Sequence, residues 1–209
     1  LDDLTTIGET DFNGTIPHSF SAHPHRVESR KTTYNFGVRW ALRPMLDVFA
    51  IPDGKVPQRI QSIPLDGIPL LHDCIASEKY LIFLVAPVWL DRWAQLFGRN
   101  TPVSNLHWKP EHGTKVIMVS LDDPNQVTQF TIDPFWVWHT TNAYDQDDKV
   151  ILDFIRYDDF DNINWLDGIL NKRPDRPAKG FPARMVIDPA KKTVMVMGGS
   201  QGARFFNQT

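Results

Sequence analysis

The chain is almost devoid of cysteine: Cys74 is the only one among 209 residues. A single cysteine excludes an internal disulfide and the thiolate-rich sites that hold structural zinc or iron–sulfur clusters. It is typical of a reducing compartment, so we expect a cytoplasmic protein. Cys74 lies in an apolar stretch and no Gly-x-Ser-x-Gly motif is present, so nucleophilic hydrolysis is not indicated.

Long hydrophobic runs and an excess of positive charge are also missing. The longest apolar run, at 80–88, is the length of a strand, whereas a membrane-spanning helix needs about 20 residues. The net charge is −3 and the sequence pI is near 6.2. Nucleic-acid binding requires a basic face, so we expect no nucleic-acid partner.

The chain is rich in short strand-like runs bounded by Pro, Gly, Asn or Asp, which predict a mostly β protein. The predicted strands are 32–38, 46–51, 57–64, 80–86, 115–121, 126–132, 150–157, 183–187 and 193–198. Two short amphipathic segments, 88–97 and 160–170, predict helical insertions. This pattern favours a β-propeller or a large sandwich, although no strict repeat of the kind that marks WD40 blades is present.

Three of the seven histidines, His23, His72 and His139, stand in distinctive and widely separated settings. No single helix or hairpin could bring them together, but a fold that repeats a sheet unit around an axis could. Imidazole suits iron, copper, zinc and nickel, so the three histidines are candidate ligands of a transition metal. The competing interpretation is a hydrogen-bonded structural role, which is the commoner fate of a lone histidine in a β protein.

The neighbours of these histidines support the metal hypothesis. His72 precedes Asp73, a residue type that often orients a ligating imidazole, and His139 follows an aromatic run at 135–138. A two-ligand His-x-His arrangement of His23 with His25 ranks second. The remaining histidines lie in polar, loop-like segments and are expected outside the site: His18, His107 and His112.

Three segments, each built on one of these histidines, resemble the carotenoid cleavage oxygenase family. They are 21–25 with 32–37, 71–73 with 76–83, and 139–145 with 150–153, and the tail at 198–206 is similar too. The resemblance implies an all-β, seven-bladed propeller with a ferrous ion, Fe(2+), held by four histidines. His23, His72 and His139 match the first three.

Nothing in the chain matches the fourth histidine or the glutamates that orient the ligands in the family. We therefore expect residues 1–209 to be the central portion of a single propeller domain. The ring would be incomplete, lacking N- and C-terminal blades and carrying short helical insertions. Such a chain alone is expected to be inactive.

The resemblance also implies a reaction. A non-haem Fe(II) dioxygenase would use dioxygen to cleave a carbon–carbon double bond of a carotenoid or apocarotenoid, giving two carbonyl products. Stilbene-type alkene cleavage, a polyene-binding or isomerase activity without cleavage, and an inactive metal-free fragment remain as alternatives.

Two further expectations concern the lipophilic polyene substrate. Phe135, Trp136 and Trp138 are candidate walls of an apolar tunnel, or equally well ordinary core aromatics. The amphipathic segment 89–97 is a candidate for peripheral membrane contact, where such substrates reside, or else a helix packed on the sheet.

Overall fold

The computed structural model describes residues 3, 5–6, 8–16, 19–98, 103–163, 179–198 and 204–206, and almost all of its regular structure is antiparallel strand. The first sheet contains β1 (His25–Val27), β2 (Thr32–Arg39), β3 (Met45–Pro52) and β4 (Gln58–Pro64), paired in chain order. The chain continues through β5 (Ile75–Ala76), β6 (Tyr80–Val85), β7 (Val88–Leu90), α1 (Arg92–Leu96) and β8 (Leu106–Trp108).

The second sheet joins β5 and β6 to β9 (Thr114–Ser120) and β10 (Val127–Ile132). The strands β7 and β8, which lie between β6 and β9 in the sequence, form a separate two-stranded ribbon. The third sheet contains β11 (Trp136–Gln146), β12 (Lys149–Tyr157), β13 (Phe181–Asp188), β14 (Thr193–Gly198) and β15 (Arg204–Phe206). The prediction of an all-β fold with short helical insertions is confirmed.

All the strands predicted from the sequence are present, with ends that shift by a residue or two. The predicted helix at 88–97 is only partly right, because β7 pairs with β8 and the helix is confined to Arg92–Leu96. Aromatic and β-branched residues at 88–90 favour that ribbon. The second predicted helix, 160–170, falls mostly outside the described residues.

The second sheet is buried on both faces, which explains why β6 is an unbroken apolar run. Along β6, Leu81 and Phe83 pack against the first sheet and Ile82 packs against the third. The same alternation holds in β9, where Ile117 and Met118 point in opposite directions. Successive side chains of a strand lie on opposite faces, so one apolar strand serves two cores.

The stacking order places the first strand of each sheet beside that of the next: β5 contacts both β1 and β11. The sheets are also tied by polar contacts; Ser77 Oγ donates to Asp145 Oδ1 across 3.1 Å, and Gln61 Nε2 donates to the Pro124 carbonyl across 2.7 Å. The described part of the chain contains three such stacked sheets, so the seven-bladed ring stays a prediction.

No helix among the described residues is long and apolar enough to cross a membrane.

Replacing Phe83 by Ala should strongly destabilise the fold. Its side chain is fully buried between the first two sheets and lies edge-on to Phe36, with ring centroids 5.4 Å apart. Loss of transfer free energy and formation of a cavity should lower the free energy of unfolding by about 3–5 kcal/mol in a denaturant titration. The control, Phe97→Ala, removes a ring that is 68% exposed. This substitution should change the free energy of unfolding by less than about 0.5 kcal/mol. Equal effects of the two substitutions would contradict this packing.

Candidate metal centre

Three imidazoles meet where the first strands of the three sheets lie side by side. His23 stands just before β1, His72 in the loop that enters β5, and His139 within β11. One nitrogen from each ring lies within 4.8 Å of those from the other two. The ring centroids are 4.6–4.9 Å apart.

The spacing within this histidine cluster suits metal ligation. The Nε2 atoms of His23 and His72 are 3.0 Å apart. Two ligands with bonds of about 2.1 Å have their nitrogens roughly 3.0 Å apart at a right angle and about 3.4 Å apart at a tetrahedral angle. A hydrogen bond between two rings could give the same distance, but it would not require a third imidazole at the same point. The three histidines could therefore hold a metal ion.

The electrostatics of His72 favour an unprotonated ring. Burial lowers the pKa of His72 below its usual 6.5, and the proximity of His23 and His139 lowers it further, while Asp73 acts in the opposite direction. A neutral imidazole keeps the lone pair that a metal needs, so this ring is prepared for ligation.

Ser21 links the first two histidines. Its backbone N–H donates to the Phe36 carbonyl at 2.8 Å, which fixes it against β2. Its hydroxyl accepts the His23 N–H at 3.0 Å and donates to the His72 carbonyl at 3.4 Å. Sequence reasoning missed this residue, although a serine two positions before a functional residue is a signal for a local side-chain turn.

His139 lies in an irregular part of β11. Val137 is opposite Arg156, Thr140 opposite Phe154 and Asn142 opposite Asp153, so β11 carries an extra residue on each side of Thr140. Such bulges bend a strand and redirect its side chains. They also explain why β11 was not predicted as a strand, because the bulged segment lacks a regular apolar alternation.

Asp73 contacts all the segments around the site. Its side chain is only 7% exposed. Oδ2 accepts the Thr140 N–H at 2.9 Å and the Thr140 hydroxyl at 3.0 Å, and lies 3.8 Å from His139 Nδ1. Oδ1 accepts the Cys74 N–H at 2.8 Å and lies 3.5 Å from His25 Nε2. Burial alone would raise the pKa of Asp73, but the contacts with His25 and Thr140 outweigh it and the pKa is lowered.

The other predicted residues divide into neighbours of the site and distant ones. His25 lies in β1 and faces Asp73, outside the group of three imidazoles. His112 stacks on Trp89 with centroids 4.2 Å apart, and His107 lies in β8; neither belongs to the histidine cluster. His18 falls outside the described residues.

The three candidate substrate contacts differ in their distance from the histidines. Trp138 packs edge-on against His72, with centroids 5.2 Å apart. Trp136 is buried and packs edge-on against Trp138 at 4.7 Å. Phe135 belongs to the core between the second and third sheets. Trp138 is thus the one of these three with a ring contact to the histidine cluster, and substrate contact stays a prediction for all of them.

Comparisons with known proteins match this site and fold. Residues 1–201 match the family model described as retinal pigment epithelial membrane protein. The apocarotenoid-15,15'-oxygenase of Synechocystis is 27% identical over 202 residues, which cover 91% of this chain and 40% of that protein. The carotenoid cleavage oxygenase of Mycobacterium tuberculosis is 24% identical over 196 residues, covering 75% and 39%.

Solved structures agree. The cobalt-substituted apocarotenoid oxygenase of Synechocystis superposes with a TM-score of 0.77 at 25% identity, covering 94% of this chain and 43% of that one. The chain therefore spans about 40% of the length of these two curated relatives.

In the metal-free protein the pKa of the His72 imidazole should lie below 6.5, the usual pKa of a histidine, because burial and two neighbouring imidazoles oppose its protonation. Below that pH the unfolded chain then binds more protons than the folded one, so stability is complete above about pH 6.5 and is lost as the pH falls through the folded pKa. An NMR titration of the imidazole resonances measures the pKa of His72. The resonance of His72 is assigned as the one that is missing in the His72→Gln variant. A midpoint at or above 6.5 would contradict the described burial.

Proposed function

The chain belongs to the family of the retinal pigment epithelial membrane protein and the carotenoid cleavage oxygenases, and on that basis we propose that its protein is a non-haem iron(II) dioxygenase. The substrate would be a carotenoid or apocarotenoid, cleaved at a carbon–carbon double bond to give two carbonyl products. The observation that carries the proposal is the convergence of His23, His72 and His139 in a chain whose relatives bear oxygenase names.

The donor set fits iron(II). The three imidazoles present nitrogen donors without a thiolate, and uncharged ligands leave the full positive charge on the metal. The cobalt-substituted relative supports a divalent metal in this fold. A bound ferrous ion would supply the site at which dioxygen is activated. The protein would hold the metal, orient the polyene and exclude water.

The residues next to the histidine cluster suit an apolar substrate. Trp138 presents a half-buried indole beside His72, and Trp136 with Phe160 supports it from behind. We propose Trp138 as a wall of the polyene site, with Trp136 acting through the packing that holds it. Phe135 stays a candidate substrate contact, although its ring lies in the core between the second and third sheets.

We propose further that the three sheets are consecutive blades of a seven-bladed propeller, of which residues 1–209 are the central portion. A fourth imidazole would then come from outside this chain. The support is the stacking of the three sheets, in which β5 contacts both β1 and β11 at the histidine cluster.

Substitution of single ligands tests the metal centre in the intact protein. His72→Ala and His139→Ala should each lose bound iron and cleavage activity, because each removes one of three converging donors. His112→Ala, whose ring stacks on Trp89 away from the cluster, should keep both. Iron content by elemental analysis and product formation measure the outcome. Full iron retention in both ligand variants would refute the assignment.

Isotopic labelling distinguishes the reactions. Incubation of the iron-loaded intact protein with an apocarotenoid under labelled dioxygen should give aldehyde products that carry the label. A stilbene tests the second substrate class in the same assay. Iron-loaded protein that cleaves neither compound would favour a polyene-binding or isomerase function.

We also propose a cytoplasmic protein that makes peripheral contact with a membrane. Around α1, three large apolar side chains are mostly exposed: Trp93 by 59%, Leu96 by 72% and Phe97 by 68%. Arg92 Nη1 lies 3.5 Å from the Leu42 carbonyl, which brings the fully exposed Leu42 side chain to the same region. Apolar side chains beside a cation suit the boundary of a lipid bilayer, where polyenes dissolve.

Liposome binding tests this contact. The double variant Leu96→Ser with Phe97→Ser should sediment with liposomes several-fold less than the wild type, because it removes exposed apolar area. The control Val56→Ser changes a side chain that is 59% exposed in the turn between β3 and β4 and should sediment like the wild type. Unchanged binding of the double variant would rule out α1 as the contact.

A further inference from the structure

We propose that Asp73 is a positioning residue for the third imidazole. Its carboxylate fastens the bulged part of β11 to the loop that carries His72, and so holds His139 at the histidine cluster. This inference rests on the metal centre proposed above, but it assigns a role to a residue that is not a ligand.

The bulged strand needs an anchor at this point. The extra residues on both sides of Thr140 interrupt the regular pairing of β11 with β12. The Thr140 N–H donates to Asp73 Oδ2 at 2.9 Å, and its hydroxyl lies within hydrogen-bonding distance of both Asp73 Oδ2 and the Cys74 carbonyl. The backbone next to His139 is therefore held from the second sheet.

The side chain of His139 has little else to fix it. It is 53% exposed, and its described ring contacts are with the other two imidazoles, His23 and His72. Packing therefore constrains the ring weakly, and its place depends on the backbone that carries it. Asp73 Oδ2 also lies 3.8 Å from Nδ1 of the same ring, so the carboxylate faces both the backbone and the imidazole.

Only a carboxylate can satisfy this arrangement. Oδ1 accepts the Cys74 N–H and Oδ2 accepts the Thr140 N–H, so both atoms must be acceptors. An asparagine in either orientation would turn its NH₂ group toward one of these N–H groups. The side chain is 7% exposed, so water cannot easily take over the lost bond.

The test is Asp73→Asn in the intact protein, with Co²⁺ alone as the probe. The substitution preserves shape and removes one acceptor. The dissociation constant for Co²⁺ should rise roughly 10- to 100-fold, the usual range for residues that orient ligands, and the visible absorption bands of bound cobalt should shift. Thr140→Ser keeps both donors and should bind Co²⁺ as the wild type does.

Asp47→Asn is the matched control. Asp47 is also 7% exposed and bonds to Arg39 at 2.9 Å, but it lies in β3, in the first sheet. Its replacement should lower stability while leaving the Co²⁺ dissociation constant and spectrum unchanged. A similar loss of Co²⁺ affinity in both variants would show a general effect of destabilisation and would overturn the proposal.

Hydrogen exchange of the Thr140 amide in metal-free protein separates this inference from the metal centre. The amide should exchange slowly in the wild type and at least 10-fold faster in Asp73→Asn. An unchanged rate, or a faster rate with unchanged Co²⁺ affinity, would overturn the positioning role. Wild-type protein that binds no Co²⁺ would contradict the metal centre, whereas the anchoring of Thr140 is decided by the exchange rate alone.

Discussion

The rest of the structure depends on the burial of both faces of the second sheet. Because residues 81–85 of β6 and 116–119 of β9 are apolar on both faces, neither face can be left in water, and the first and third sheets cover one each. Sheets stacked in this way bring their first strands, β1, β5 and β11, side by side. The histidines stand on or next to those strands, so the hydrophobic cores between the sheets determine which imidazoles meet.

A site assembled between sheets needs polar contacts to fix its register, and two residues supply them. The Ser21 hydroxyl bonds to the backbone of both His23 and His72, and Asp73 bonds to the backbone beside His139. The charge of Asp73 and the protonation of His72 also suit the binding of a cation. The lowered pKa of Asp73 leaves a buried anion next to the histidine cluster, whose His72 ring resists protonation. A cation bound by the imidazoles would therefore lie close to this carboxylate and be attracted by it.

The regular strands could be predicted from the sequence because each carries its own pattern of apolar runs and turn residues. β11 could not, since its bulges break that pattern on both sides of Thr140, next to His139. The three histidines were singled out by their separate settings and then by the resemblance to a family, whereas the distances between their rings could not be predicted from spacing. The hydrogen-bond partners of Asp73 could not be predicted, because they lie in another sheet. The sequence places Asp73 beside His72, but its carboxylate bonds to Thr140.

The aromatic run before His139 shows how one strand divides its tasks. Phe135 and Val137 face the core between the second and third sheets, whereas Trp136 and Trp138 face a separate aromatic cluster that reaches His72. The sequence groups Phe135 with the two tryptophans, whereas the two-residue period of an extended chain places it on the other face. The first bulge then breaks the alternation, so that the next side chain, His139, leaves both apolar faces and joins the imidazoles. Within five residues, 135–139, the chain thus contributes to a core, to an aromatic cluster beside His72 and to the group of candidate metal ligands.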